Sequence, residues 1–276
     1  MKTVLRTILA FLLATSAALA ADGIAFISDL KGDVAIDGNA RPMLLSELAK
    51  GQKVSVGRDS QASVMFTATG KEYVLRGPGE YLVKDTEIAG NIMPPVSRST
   101  EWRTSARVLT QVAQTSAASV RMRSIARPKP AAAPRSYPAE GSVATLQPVF
   151  RWEADDPKAP VDFTLLVAGQ PKPVHLAREV TGSTYRLPAK LRPETEYAWT
   201  AVTAGNEIAA GRFRTLSGEA LARIEARRPS ARAEFSDRLH FTLMLQEMGA
   251  TQEARESWVR LSQERSDLPE LSALAR

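Results

Sequence analysis

The chain has 276 residues, a formal net charge of +6, two histidines and no cysteine. Without cysteine there are no thiolate nucleophiles, thiolate zinc sites or redox pairs, and the fold must stand on packed cores rather than disulfides. This length suits two or three small domains better than one.

Residues 1–20 read as an export signal peptide. Lys2 and Arg6 precede an apolar stretch from Ile8 to Ala14, and Ala18-Leu19-Ala20 fits the small-x-small rule, so cleavage is expected after Ala20. The apolar core is well short of the roughly 20 residues that span a bilayer. No cysteine adjoins the site for lipid attachment. No later segment reaches spanning length, so the expectation is a periplasmic protein with no transmembrane segment in the mature chain.

Residues 21–88 are patterned as a small β domain. Short runs such as Ile24-Ala25-Phe26-Ile27, Lys53-Val54-Ser55-Val56, Ala62-Ser63-Val64-Met65-Phe66, Glu72-Tyr73-Val74-Leu75 and Tyr81-Leu82-Val83 are bounded by turn residues. Asp37-Gly38-Asn39 and Thr69-Gly70 predict hairpins, and Gly77-Pro78-Gly79 a sharp break. The spacing predicts a small sandwich or barrel. Gly32-Asp33-Val34, Gly51-Gln52-Lys53-Val54, Gly57-Arg58-Asp59-Ser60-Gln61-Ala62, Thr69-Gly70-Lys71 and Gly77-Pro78-Gly79 together resemble the FecR domain family over residues 23–85. Gly51-Gln52 and Thr69-Gly70 depart from the family's usual Gly-Asp and Asp-Gly while keeping the glycine. FecR itself relays a periplasmic signal through a membrane-spanning helix to a sigma factor. No such helix adjoins this domain, so the resemblance implies the fold and not that mechanism.

Residues 89–141 read as a basic linker rich in Pro, Ala and Ser. Pro94-Pro95 opens it and Pro128, Pro130, Pro134 and Pro138 close it, which predicts an extended, semi-rigid spacer. Eight basic residues stand against two carboxylates between positions 91 and 140, so the chain's basicity belongs to this connector and not to a nucleic-acid-binding face. Within 99–126, Trp102, Ala106, Leu109, Val112 and Ala113 fall at helical spacing, with a short strand around 119–123 as the alternative. Arg98, Trp102, Arg103, Arg107, Arg121 and Arg123 are the candidate contacts to an anionic surface or acidic partner; the competing reading is a solvated linker.

Residues 142–216 return to β. Val149-Phe150-Arg151-Trp152 alternates, 162–167 predicts a buried strand, and Ser183-Thr184-Tyr185-Arg186-Leu187 alternates again. With Leu191-x-Pro193-x-Thr195-x-Tyr197 this stretch resembles a fibronectin type III or immunoglobulin-like sandwich. That resemblance implies a corner tyrosine at Tyr197 and a buried Trp152.

Residues 217–276 are helical. Ser217 predicts a cap, Pro229 a break, residues 232–248 an amphipathic helix, Gly249 its end and Thr251 the cap of the next. Gly249, Ala254, Trp258 and Leu268-Pro269 resemble a tetratricopeptide helical hairpin. A single such hairpin is too short to form a groove, so a capping or docking element is expected. The predicted fold class is therefore mainly β with a C-terminal α segment.

Site chemistry is sparse. His175 and His240 fall in different predicted domains, so no paired-histidine metal site and no local Ser-His-Asp set is expected, and no catalytic residue or cofactor is assigned. Asp155-Asp156 runs into Pro157 and reads as a turn. Three of the four tryptophans are expected in cores. The favoured function is a non-enzymatic interaction, signalling or scaffold module of the cell envelope whose partner is an envelope protein or membrane sensor. The alternative is an envelope protein that binds peptidoglycan or another anionic glycan.

Overall fold

The computed structural model describes residues 23–38, 41–99 and 136–275. The predicted leader, the 100–126 part of the possible helix and most of the basic linker lie outside these residues. The described chain is mainly β, with antiparallel sheets followed by a short C-terminal helical segment. No helix among the described residues is long and apolar enough to cross a membrane.

The first unit is built from β1 (Ala25–Lys31), β2 (Val34–Ile36), β3 (Glu47–Leu48), β4 (Lys53–Val56), β5 (Gln61–Phe66), β6 (Lys71–Arg76), β7 (Gly79–Val83), β8 (Ile88–Gly90) and β9 (Val96–Ser99). These form a five-stranded sheet in the order β3-β1-β5-β6-β9 and a four-stranded sheet β2-β4-β7-β8. β4 and β7 alternate as half-buried strands do, with Val54, Val56, Tyr81 and Val83 inward and Lys53, Glu80 and Leu82 outward. β1 is buried along its whole length except Lys31, so it is covered on both faces. At the break between β6 and β7, a Cβ on Gly77 would collide with the carbonyl of Gly57, so only glycine fits there.

This unit runs past the predicted boundary at residue 88. β9 pairs with β6, Glu72 opposite Arg98 and Val74 opposite Val96. A polar segment behind two prolines looks like linker in sequence. Here its backbone pairs with β6 and forms the edge of the five-stranded sheet.

The second unit comprises β10 (Ser136–Tyr137), β11 (Ser142–Val143), β12 (Val149–Trp152), β13 (Val161–Val167), β14 (Pro173–Val180), β15 (Thr184–Arg186), β16 (Glu196–Thr203) and β17 (Asn206–Thr215). They form a three-stranded sheet β10-β12-β15 and a five-stranded sheet β11-β17-β16-β13-β14. Phe150, Trp152, Phe163, Trp199 and Phe213 fill the shared core, with Phe150 and Phe163 edge to face at 4.7 Å. The Tyr197 hydroxyl accepts from the backbone N–H of Arg192 at 2.9 Å, which pins the turn into β16. The indole N–H of Trp199 donates to the Pro138 carbonyl at 2.6 Å, tying the residues before 142 to the sandwich.

Four helices follow: α1 (Gly218–Ala226), α2 (Phe235–Glu247), α3 (Thr251–Glu264) and the single turn α4 (Leu271–Leu274). Ser217 caps α1, its hydroxyl accepting from Ala220 N–H at 3.2 Å. Gly249 ends the α2 turn in the left-handed conformation. Thr251 is the first helical residue of α3 and not its cap, which is the adjacent Ala250.

The helical segment joins the two β units. Phe235, Leu239, Leu243, Trp258, Leu261 and Leu271 belong to the same core as Phe26, Leu44, Leu48 and Tyr81 of the first unit. Burying each large side chain contributes roughly 1.5–3 kcal/mol, so six of them outweigh any surface ion pair. On the other side of the joint, Gln252 accepts from Ala139 N–H at 2.8 Å, and Ser142 N–H donates to the Gly249 carbonyl. Arg151 pairs with Glu256 across the same seam.

Candidate functional site

Two buried polar networks hold the first unit to the helices, and one contains a predicted contact residue. Arg98 on β9 donates to Glu72 at 2.5 Å, to Ser236 at 2.7 Å and to Asp237 at 3.2 Å. Glu72 is fully buried and also accepts from the Ser28 hydroxyl at 2.6 Å. Burial lowers the pKa of Arg98, but Glu72 and Asp237 together raise it further, so the guanidinium stays charged. In the second network Arg265 pairs with Asp29 and Asp267 and donates to the Leu30 carbonyl. Glu270, also buried, accepts from Leu44 N–H at 2.7 Å. Trp102, Arg103, Arg107, Arg121 and Arg123 lie outside the described residues, so the predicted basic surface is represented only by Arg98.

The two histidines lie in different units. His175 exchanges a 2.6 Å hydrogen bond with the Tyr185 hydroxyl in the sandwich. His240 is fully buried in α2 against the edge of Phe26, and burial pushes its pKa down to about 3, which keeps the ring neutral. Asp156 caps its own turn by accepting from Lys158 N–H at 2.9 Å. Trp152, Trp199 and Trp258 are core residues. Among the described residues no group of three His, Asp or Glu side chains could hold a metal ion.

At the joint with the sandwich, Glu253 accepts from the Tyr137 hydroxyl at 2.8 Å and from Ala144 N–H at 2.7 Å. Its second carboxylate oxygen is buried without a hydrogen-bond partner among the described residues. Burial raises the pKa of Glu253, and burial with the nearby Glu253 charge also raises that of Tyr137.

The large apolar side chains exposed among the described residues are Leu82, Ile92, Met93, Val96, Val174 and Leu176. Val96 lies on β9, the edge of the first five-stranded sheet, and Val174 and Leu176 on β14, the edge of the sandwich's larger sheet; Ile92 and Met93 lie between β8 and β9, and Leu82 on the interior strand β7. The edge at β14 is the most developed. Val174 and Leu176 are 51% and 58% exposed, while His175 and Ala177, which alternate with them, are half-buried toward the core. Beside the start of β14 a cavity of about 240 Å³ opens between the sheets. Val174 and His175 of β14 line it together with buried Leu165, Leu187, Leu191 and Tyr197 and exposed Lys190 and Arg192.

The sequence reading did not single out Val174, Leu176, Lys190 or Arg192. Period-2 alternation across 173–177 was the available signal, but alternation does not say which face is buried. No family model matches the chain, and no curated protein matches its sequence.

Proposed function

We propose that this protein is a non-enzymatic scaffold of the periplasm. In this reading a FecR-like first unit and a fibronectin type III-like sandwich are fastened by a tetratricopeptide-like helical joint, and together they engage envelope proteins or a membrane sensor. One observation supports the reading: exposed Val96, Val174 and Leu176 lie on β9 and β14, edge strands that have no further neighbouring strand among the described residues. Because the helices share one core with the first unit and hydrogen-bond to the sandwich, the edges at β9 and β14 are presented in a defined arrangement.

The test is site-specific photocrosslinking in cells that export the full chain, with the crosslinker placed at Val96 in one strain and at Leu176 in another. The expected result is a discrete adduct to an envelope protein from at least one edge, and none from a crosslinker at exposed Glu207 on β17. If neither edge gives an adduct above the Glu207 background, the scaffold role is wrong.

A further inference from the structure

The edge strand β14 has its faces reversed. In a sandwich the more apolar face of a strand is expected to point inward. In β14 the stronger apolar residues, Val174 and Leu176, point out, while His175 and Ala177 point in. The register fixes this arrangement, since buried Phe163 and Leu165 of β13 lie opposite Ala177 and His175, and Thr164 lies opposite Leu176. Irregularities on either side, between Val161 and Phe163 and between Leu165 and Leu166, keep the strand from sliding to the opposite face. The inward histidine is held by its 2.6 Å hydrogen bond to Tyr185 and by stacking on that ring. A one-residue slip would bury Val174 and Leu176. Their exposure therefore costs apolar burial, which a second strand lying along β14 would recover.

The charge around this edge limits what that strand is. Lys190 and Arg192 line the adjoining cavity, and no carboxylate lines it. Neither cation has an ion pair to a carboxylate among the described residues, whereas Arg212 nearby on β17 is paired with Glu196. We infer that β14 and its cavity form a binding site for an extended acidic segment of a partner protein. The segment adds as a strand to the edge, placing one set of side chains against Leu176 and the exposed part of Val174, whose side chain also borders the cavity. The alternate set points toward the cavity, where its carboxylates meet Lys190 and Arg192. Backbone pairing supplies sequence-tolerant affinity, and the two cations supply the preference for acid.

This inference rests on the scaffold reading and names one of its edges, partner chemistry and mode of binding. The probe is a fluorescein-labelled eight-residue peptide of alternating valine and glutamate, titrated into the full chain and followed by fluorescence anisotropy. A valine–lysine peptide and a valine–glutamate peptide interrupted by a central proline are the controls. The valine–glutamate peptide is expected to bind with a Kd on the order of 10–100 μM at 50 mM salt, and at least about tenfold more tightly than either control. The affinity should fall as salt rises to 500 mM. Leu176→Glu, at a largely exposed position, and separately Lys190→Glu should each weaken binding about tenfold without changing the far-UV circular dichroism.

Equal binding of the valine–lysine peptide, undiminished binding of the proline peptide, or binding indifferent to both substitutions would each overturn the assignment, as would no binding at 1 mM. Crosslinks at Val96 combined with no peptide binding at β14 would defeat this inference and leave the scaffold role standing.

Discussion

Replacing Arg265 with methionine tests whether the helical joint is locked to the first unit by a buried charge network. The Arg265 side chain is 10% exposed, and its guanidinium lies over the Phe235 ring at 5.0 Å. It pairs with Asp29 and Asp267 and donates to the Leu30 carbonyl. Methionine keeps an apolar stem against Phe235 but removes every donor.

The three lost partners differ in weight. Asp267 is 59% exposed and rehydrates, so its pair is worth at most about 1 kcal/mol. Asp29 is 11% exposed and, among the described residues, keeps the Leu30 N–H donor at 2.8 Å. Removing one side of such a pair costs about 3–5 kcal/mol. An unpaired Leu30 carbonyl adds about 1–3 kcal/mol, but losses at one site relax together and do not sum. Arg265→Met should therefore lower the opening free energy of α3 by about 3–5 kcal/mol. Native-state hydrogen exchange of α3 amides reads this directly, with the β13 and β16 amides of the separate sandwich core as the internal reference. Adding Asp29→Asn removes the stranded charge while keeping an acceptor for Leu30 N–H, and should restore at least half of the loss. A loss below about 1 kcal/mol, or a double variant no more stable than the single, would refute the reasoning.

Two pH effects follow from the buried ionisable groups. His240 has a folded pKa of about 3 against an ordinary 6.5, mainly through burial, with Asp237 opposing and Arg98 adding. The unfolded chain binds a proton that the folded chain refuses, so stability is lost as pH falls below about 6.5, by about 2 kcal/mol at pH 5. His240→Gln should flatten the acid limb of the stability curve by that amount in urea titrations; parallel curves would contradict it. Glu253 has the opposite shift for a carboxylate, its pKa raised first by burial. In the window above the ordinary carboxylate pKa the folded state binds more protons, so this group stabilises as pH falls and destabilises as pH rises through its folded pKa. Relative to Glu253→Gln, the wild-type chain should gain thermal stability between pH 8 and pH 5. A melting-temperature difference independent of pH would rule this out.

Much of the fold is legible locally. The β4 and β7 alternation, the break at Gly77-Pro78-Gly79, the Ser217 cap, the end of α2 at Gly249 and the buried Trp152, Trp199 and Trp258 all depend on chemistry within a few residues. β9 and β14 were less legible for different reasons. β9 follows Pro94-Pro95 and is mostly polar, so nothing in its composition separates it from linker. Residues 173–180 begin with proline and carry apolar residues on the outward face, so they do not resemble a core strand. Arg98, a candidate surface contact in the sequence, is a partly exposed partner of buried Glu72.

By itself, then, the sequence determined the mainly β fold class, the Thr69-Gly70 hairpin, the Ser217 cap and the absence of cysteine chemistry, because these follow from side-chain type and short-range spacing, whereas the strand before Asp37-Gly38 pairs with β4 rather than across a hairpin and Ala250 caps α3 in place of Thr251. Only the tertiary structure decided that the helices complete the first unit's core, that Arg265 meets Asp29 across 236 positions, and that Val174 and Leu176 face solvent. Pairing between distant segments is set by which surfaces bury together and leave the fewest unpaired charges, and no local window contains both partners.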